Sequence, residues 1–134
     1  MEDNVRARIA ADIATAEGVR KADLVLKGGQ VFNVFTQSWE TADVAIRGSR
    51  IVGIGEYEGG REIDVHGKYV TPGFMDAHVH LESSMLAPRE LAKILLLNGV
   101  TTVFADPHEI ANVLGVSGIE FFLEETEDMP LSVY

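Results

Sequence analysis

The sequence predicts an α/β protein in two parts, a small antiparallel β unit followed by strands that alternate with helices. Residues 22–70 form short alternating apolar and polar runs separated by tight-turn residues, the pattern of strands joined by hairpins. After Pro72-Gly73 the order becomes strand, helix, strand, helix, strand, which implies parallel strands with helical crossovers.

Residues 4–17 predict a helix. Asp3 or Asn4 can cap it, Val5, Ile9 and Ile13 recur at four-residue spacing, and Gly18 can stop it. The stripe is narrow and alanine-rich, so light packing is expected. Next, ADLVLKGGQVFNVF alternates around a Gly28-Gly29 turn. ETADVAIRGSRIVGIG alternates around Arg47-Gly48-Ser49-Arg50, and REIDVHGKYVTPG around His66-Gly67-Lys68.

Past Pro72-Gly73, FMDAHVHL reads as a buried strand. Residues 88–98 read as a helix with Pro88 in its first turn and Leu91, Ile94, Leu95 and Leu97 on the inner side. Asn98-Gly99 ends it. VTTVFA is a β-branched strand, residues 110–127 are helical, and LSVY is a last strand. The Leu95-Leu96-Leu97 run and Phe121-Phe122 read as helix core. Glu124 to Asp128 read as a solvated helix end. The expected divisions are 1–21, an N-terminal helix; 22–72, the β-rich domain; and 73–134, the alternating segment.

Composition removes several function classes. The chain has no cysteine, so a disulfide framework and a Cys-ligated zinc site are excluded. Its net charge is -10 with no basic block, which argues against nucleic acid as a partner. The apolar stretch from Ile94 to Ala105 is interrupted by Asn98, Gly99 and two threonines. It falls short of the roughly 20 apolar residues that span a bilayer. The N-terminus MEDNVRARIAADIA is too polar for a signal peptide. A cytoplasmic protein with no membrane partner is expected.

The chemistry concentrates after Pro72. On a strand, residues two apart share a face, so Asp76, His78 and His80 are expected to point the same way. Two imidazoles so placed can share one metal, and a parallel α/β fold puts the strand's C-terminal end at its active rim. Asp76 can accept an imidazole N–H and fix the tautomer. A bare H-x-H is also common as a pair of ordinary strand-end histidines. Pro107 should end the next strand, which brings Asp106 and His108 to the rim beside His80. Asp106-Pro107-His108-Glu109 reads either as a loop near metal or substrate, or as a polar turn bonded to a helix N-terminus. It is not a zincin motif, because the position four residues beyond His108 is Asn112. Glu82, Ser83 and Ser84 line a binding site or form a solvated loop. His66 lies in a turn of the β unit and reads as structural or exposed.

VTPGFMDAHVHLESS resembles the first barrel strand of the amidohydrolase superfamily, and the β unit before it resembles the small sandwich-type domain many members carry. HLESSM with GVTTVFADPHEIANVLG resembles, more narrowly, the adenine deaminase family. The resemblance implies the first β/α units of a TIM-like (β/α)8 amidohydrolase barrel, truncated, since a complete barrel takes about 250 residues. It implies His78 and His80 as ligands of a binuclear centre of Mn2+ or Fe2+, with Zn2+ the alternative. Asp76 would support them, Asp106 and His108 would be catalytic, and Glu82 and Ser83 would contact substrate. The implied reaction is hydrolytic: water adds at C6 of adenine, and ammonia leaves to give hypoxanthine, a purine-salvage step. The alternatives are another amidohydrolase, such as a cyclic amidase or an N-acetyl-sugar deacetylase, and a non-catalytic accessory or relic chain. An N-terminal fragment is expected, inactive alone and a weak metal binder, from a full-length enzyme that forms a homo-oligomer.

Overall fold

The computed structural model describes residues 2–134, with side chains described from Asn4 onward; Asp3 as a capping side chain therefore lies outside the described residues. Two compact units divide the chain, Met1–Pro72 and Gly73–Tyr134.

The first unit opens with α1 (Glu2–Ala16). Gly18, at φ 74°, turns the chain out of the helix, and the N–H groups of Glu17, Gly18 and Arg20 bond back to its last carbonyls. Val5, Ile9 and Ile13 remain 42–52% exposed. The helix is held to the strands Ser38–Arg47 and Arg50–Gly55 by other groups. Thr15 is fully buried, Asp12 pairs with Arg47 at 2.6 Å, and Ala16 O accepts the Tyr57 hydroxyl at 2.9 Å.

The sheet contains β1 (Ala22–Asn33), β2 (Ser38–Arg47), β3 (Arg50–Gly55), β4 (Gly59–Asp64) and β5 (Tyr69–Val70). Its order is β3-β2-β1-β4, with β5 also on β1. The β1-β2 and β2-β3 pairs are antiparallel, and Gly48-Ser49 makes the expected tight turn. The sheet is nevertheless mixed, because β4 and β5 both run parallel to β1. Gly28-Gly29 is not a turn either. It is a bulge within one twelve-residue strand, where the register shifts between Leu26 and Gly29. Residues 65–68 make a matching excursion between β4 and β5, and the His66 ring covers Gly28. Gly28 has φ 67°, and a Cβ there would meet the ring at 2.1 Å. Because the ring can swing aside, the left-handed backbone sets the cost. Gly28→Ala is expected to destabilise this unit by about 1–2 kcal/mol. Urea unfolding followed by Trp39, the sole tryptophan, reports on this unit alone.

In the second unit β6 (Phe74–Val79), β7 (Val100–Ala105) and β8 (Ser132–Val133) form a parallel sheet in that order. A 3-10 turn (Glu82–Ser84) and α2 (Pro88–Leu97) link β6 to β7. The next crossover holds α3 (His108–Leu114) and α4 (Val116–Thr126). Leu81, Ala92, Val103, Phe122 and Leu131 form the core, flanked by Leu91, Leu95, Leu96 and Ile110.

Two expectations about burial need correction. The inner face of α2 is Leu91, Ala92, Leu95 and Leu96, while Ile94 and Leu97 are 48% and 88% exposed. Five leucine or isoleucine positions among residues 91–97 leave the helix phase ambiguous, and contact with Val103 and Phe122 decides it. Nor is β6 buried: Phe74 and Met75 are 64% and 71% exposed. Among the described residues β6 pairs with β7 alone, and three strands close no barrel. Among the described residues no helix is long and apolar enough to cross a membrane.

Candidate metal centre

Parallel pairing brings the C-terminal ends of β6 and β7 to one rim. The ladder persists to that rim, where Asp106 N–H donates to Val79 O at 3.2 Å. His78 lies in β6, His80 just beyond it, and His108 opens α3 after Asp106-Pro107. The structure therefore gathers three of the chain's four histidines. The fourth, His66, stands in the other unit, bonded to Asp64.

His78 Nε2 and His80 Nε2 are 3.0 Å apart. With metal–nitrogen bonds of about 2.0–2.2 Å, two neighbouring ligands of one ion stand about 3 Å apart, so the pair fits a shared ion. The three rings pack edge to face in sequence, with centroids 4.8 Å apart for His78–His80 and 4.7 Å for His80–His108.

Asp106 lies against two of these rings. Its backbone carbonyl faces His80 Nδ1 at 3.1 Å. Its carboxylate stands 3.1 Å from His108 Nδ1. The carbonyl only accepts, so His80 Nδ1 is the donor. In the neutral His80 ring that leaves the lone pair on Nε2, the tautomer a metal ligand needs.

Asp76 does not have the role the spacing predicts. Its Oδ1 accepts the backbone N–H of His78 at 3.2 Å, not an imidazole N–H. The reason is a bulge. Asp76 pairs with Val103 and Val79 with Ala105, three steps on β6 against two on β7. The extra residue breaks the alternation that would have aligned Asp76 with the histidines.

Glu82 and Ser83 lie beside the cluster and turn toward α3. Glu82 Oε1 accepts the Ile110 N–H at 3.2 Å, and its buried Oε2 has no hydrogen-bond partner among the described residues. Ser83 Oγ donates to Glu109 Oε1 at 2.8 Å. Both contacts tie the loop after β6 to the first turn of α3. Ser84 bonds locally, to Leu81 O at 2.6 Å.

Sequence reasoning does not single out Glu109. Donor atoms of His80, His108 and Glu109 all lie within 4.8 Å of one another. The available signal is the adjacency of Glu109 to His108 just past a strand end.

Residues 69–134 match the Amidohydrolase family. The chain is 55% identical over 122 residues to the adenine deaminase of Geobacillus kaustophilus, covering 91% of this chain and 21% of that protein. It is 51% identical over 125 residues to the adenine deaminase of Bacillus velezensis, covering 93% and 22%. It thus spans about a fifth of the length of these relatives. Among solved structures, a D-aminoacylase described for its binuclear metal centre superposes with a TM-score of 0.54 at 38% identity, covering 63% of this chain and 18% of that one.

Proposed function

We propose, on the premise that residues 69–134 belong to the amidohydrolase family, that this chain supplies the metal-holding N-terminal part of an enzyme that converts adenine to hypoxanthine and ammonia. The observation that carries the reading is the His78–His80 pair, with Nε2 atoms 3.0 Å apart. It lies at a parallel-strand rim, in a chain 51–55% identical to adenine deaminases over more than nine-tenths of its length.

His78 and His80 would hold a divalent ion, for which the reading favours Mn2+ or Fe2+ over Zn2+. When bound, such an ion acts as a Lewis acid and lowers the pKa of water toward about 7, which supplies the nucleophile for a hydrolytic deamination. The chain's own residues hold and orient. Asp106 presents the Nε2 lone pair of His80 and keeps its carboxylate beside His108, while Glu82 and Ser83 brace α3 against the loop after β6. Asp106 and His108 thus sit where the reacting centre forms, and the substrate edge next to Glu82 and Ser83 would be read by hydrogen bonding. Purine salvage in the cytoplasm is the setting this reaction implies.

The test uses the longer enzyme that contains this chain. With metal supplied, it is expected to release ammonia and hypoxanthine from adenine, and to leave hydantoin, dihydroorotate and N-acetyl-D-amino acids intact. The D-aminoacylase likeness makes the last compound the informative competitor. Turnover of an N-acyl amide with adenine untouched would sink the deaminase reading.

A further inference from the structure

We infer that His108 and Glu109 act with His80 as a three-residue cation site carried wholly within this chain, with Asp106 as its positioning residue. The inference rests on the proposed metal-dependent function and assigns the ligands more narrowly than the H-x-H pair does.

Tautomer state separates His78 from His80. His80 gives up Nδ1–H to the Asp106 carbonyl and therefore offers its Nε2 lone pair before any ion arrives. His78 is different. Facing the lone pair of His80 Nε2 at 3.0 Å, its own Nε2 must be the donor. To bind metal through that nitrogen, His78 must first move its proton. His108 packs on the other side of His80, with Nδ1 3.1 Å from the Asp106 carboxylate, and its ring has no such proton to share with His80.

Glu109 supplies the negative charge. Its Oε1 accepts from Ser83 Oγ, which leaves Oε2 for a cation. The donor atoms of His80, His108 and Glu109 lie within 4.8 Å of one another. Ligands of one ion at bonds of about 2.0–2.2 Å are about 3–4 Å apart, so the set must close by about 1 Å. All three residues are at least partly solvent-accessible, and side-chain rotation can provide that movement. Two imidazoles and a carboxylate with an open position suit a first-row divalent ion such as ferrous iron or manganese, for which Co2+ is a spectroscopic stand-in. The chain is then a better metal binder than the H-x-H pair alone predicts.

The experiment titrates the 134-residue chain with Co2+. Visible d–d absorption reports coordination, and histidine ring 15N shifts report the tautomers. His108→Asn and Glu109→Gln are each expected to weaken binding at least about tenfold. Asp106→Ala should weaken it by about 10–100-fold but add nothing in a His108→Asn background, because its carboxylate acts through His108. His66→Asn is the control and should bind as the parent does.

If His78→Asn and His80→Asn weaken binding while His108→Asn and Glu109→Gln do not, the inference is overturned and the H-x-H pair stands. If the chain is folded, with four distinct histidine ring 15N signatures, and no variant differs from His66→Asn, both readings fail together.

Discussion

In the longer enzyme, His80→Asn is expected to cut adenine deamination roughly a thousandfold, about 4 kcal/mol of barrier, and to lower bound metal in parallel. His80 should be the most sensitive position because it belongs to both groupings at the rim. Its Nε2 lies 3.0 Å from His78 Nε2, its ring packs edge to face on His108, and its Nδ1 donates to the Asp106 carbonyl. An asparagine side chain is too short to reach the carbonyl and the ion together. Metal content and steady-state kinetics on the same preparation check the result. His66→Asn, in the other unit, should leave both unchanged. Full metal content with full activity in His80→Asn would remove the rim from the mechanism.

The second large effect is on stability. Asp43→Asn is expected to destabilise the first unit by about 2–4 kcal/mol, as when one member of a buried, multiply bonded pair is removed. Asp43 is 7% exposed. It accepts from the Lys27 ammonium, from Gly28 N–H at 2.9 Å and from Tyr57 N–H at 3.1 Å. An amide keeps one acceptor oxygen, turns its NH2 toward a donor and loses the charge that Lys27 faces. This one side chain holds the Gly28 bulge, the neighbouring strand and the segment before β4 together, so the loss should be cooperative.

The pair also sets the pH response. Burial pushes the Asp43 carboxyl up, but hydrogen bonds from Lys27, Tyr57 and Gly28 outweigh it, and its pKa falls below the ordinary 3.8. A depressed carboxyl contributes stability above its unfolded value and loses it as the pH falls through the folded one, here below pH 3.8. The hydrogen bond to Asp43 raises Lys27 above its ordinary 10.5, against the opposing effect of burial. That contribution is present below pH 10.5 and is lost as the pH rises through the raised value. Trp39-monitored unfolding should therefore show the parent losing stability at both extremes, and Asp43→Asn lacking this pair's share of the acid-side loss. Identical acid limbs in parent and variant would contradict it.

The candidate site was legible in part. H-x-H at the end of an apolar strand, with a proline just past the end of the next strand, was enough to bring His78, His80, Asp106 and His108 to one rim. Strand direction and the Pro107 stop are local properties, and each follows from nearby residues. Glu109 and the dual role of Asp106 were not legible. Both depend on how the first turn of α3 meets the loop after β6, through the Ser83–Glu109 and Glu82–Ile110 contacts, and these pair residues 26 and 28 positions apart.

By itself, the sequence determined the alternation of strands and helices after Pro72, the tight turn at Gly48-Ser49, the end of α2 before Gly99 and the apolar character of the second core. These are set by turn residues, missing N–H groups and apolar spacing, all of which act within a few residues. Only the tertiary structure decided that Gly28-Gly29 is a bulge, that β4 and β5 run parallel to β1, which face of α2 is buried, and that Asp76 bonds the main chain of His78. In each case the local pattern permits two registers or two phases, and contacts between segments distant in sequence select one.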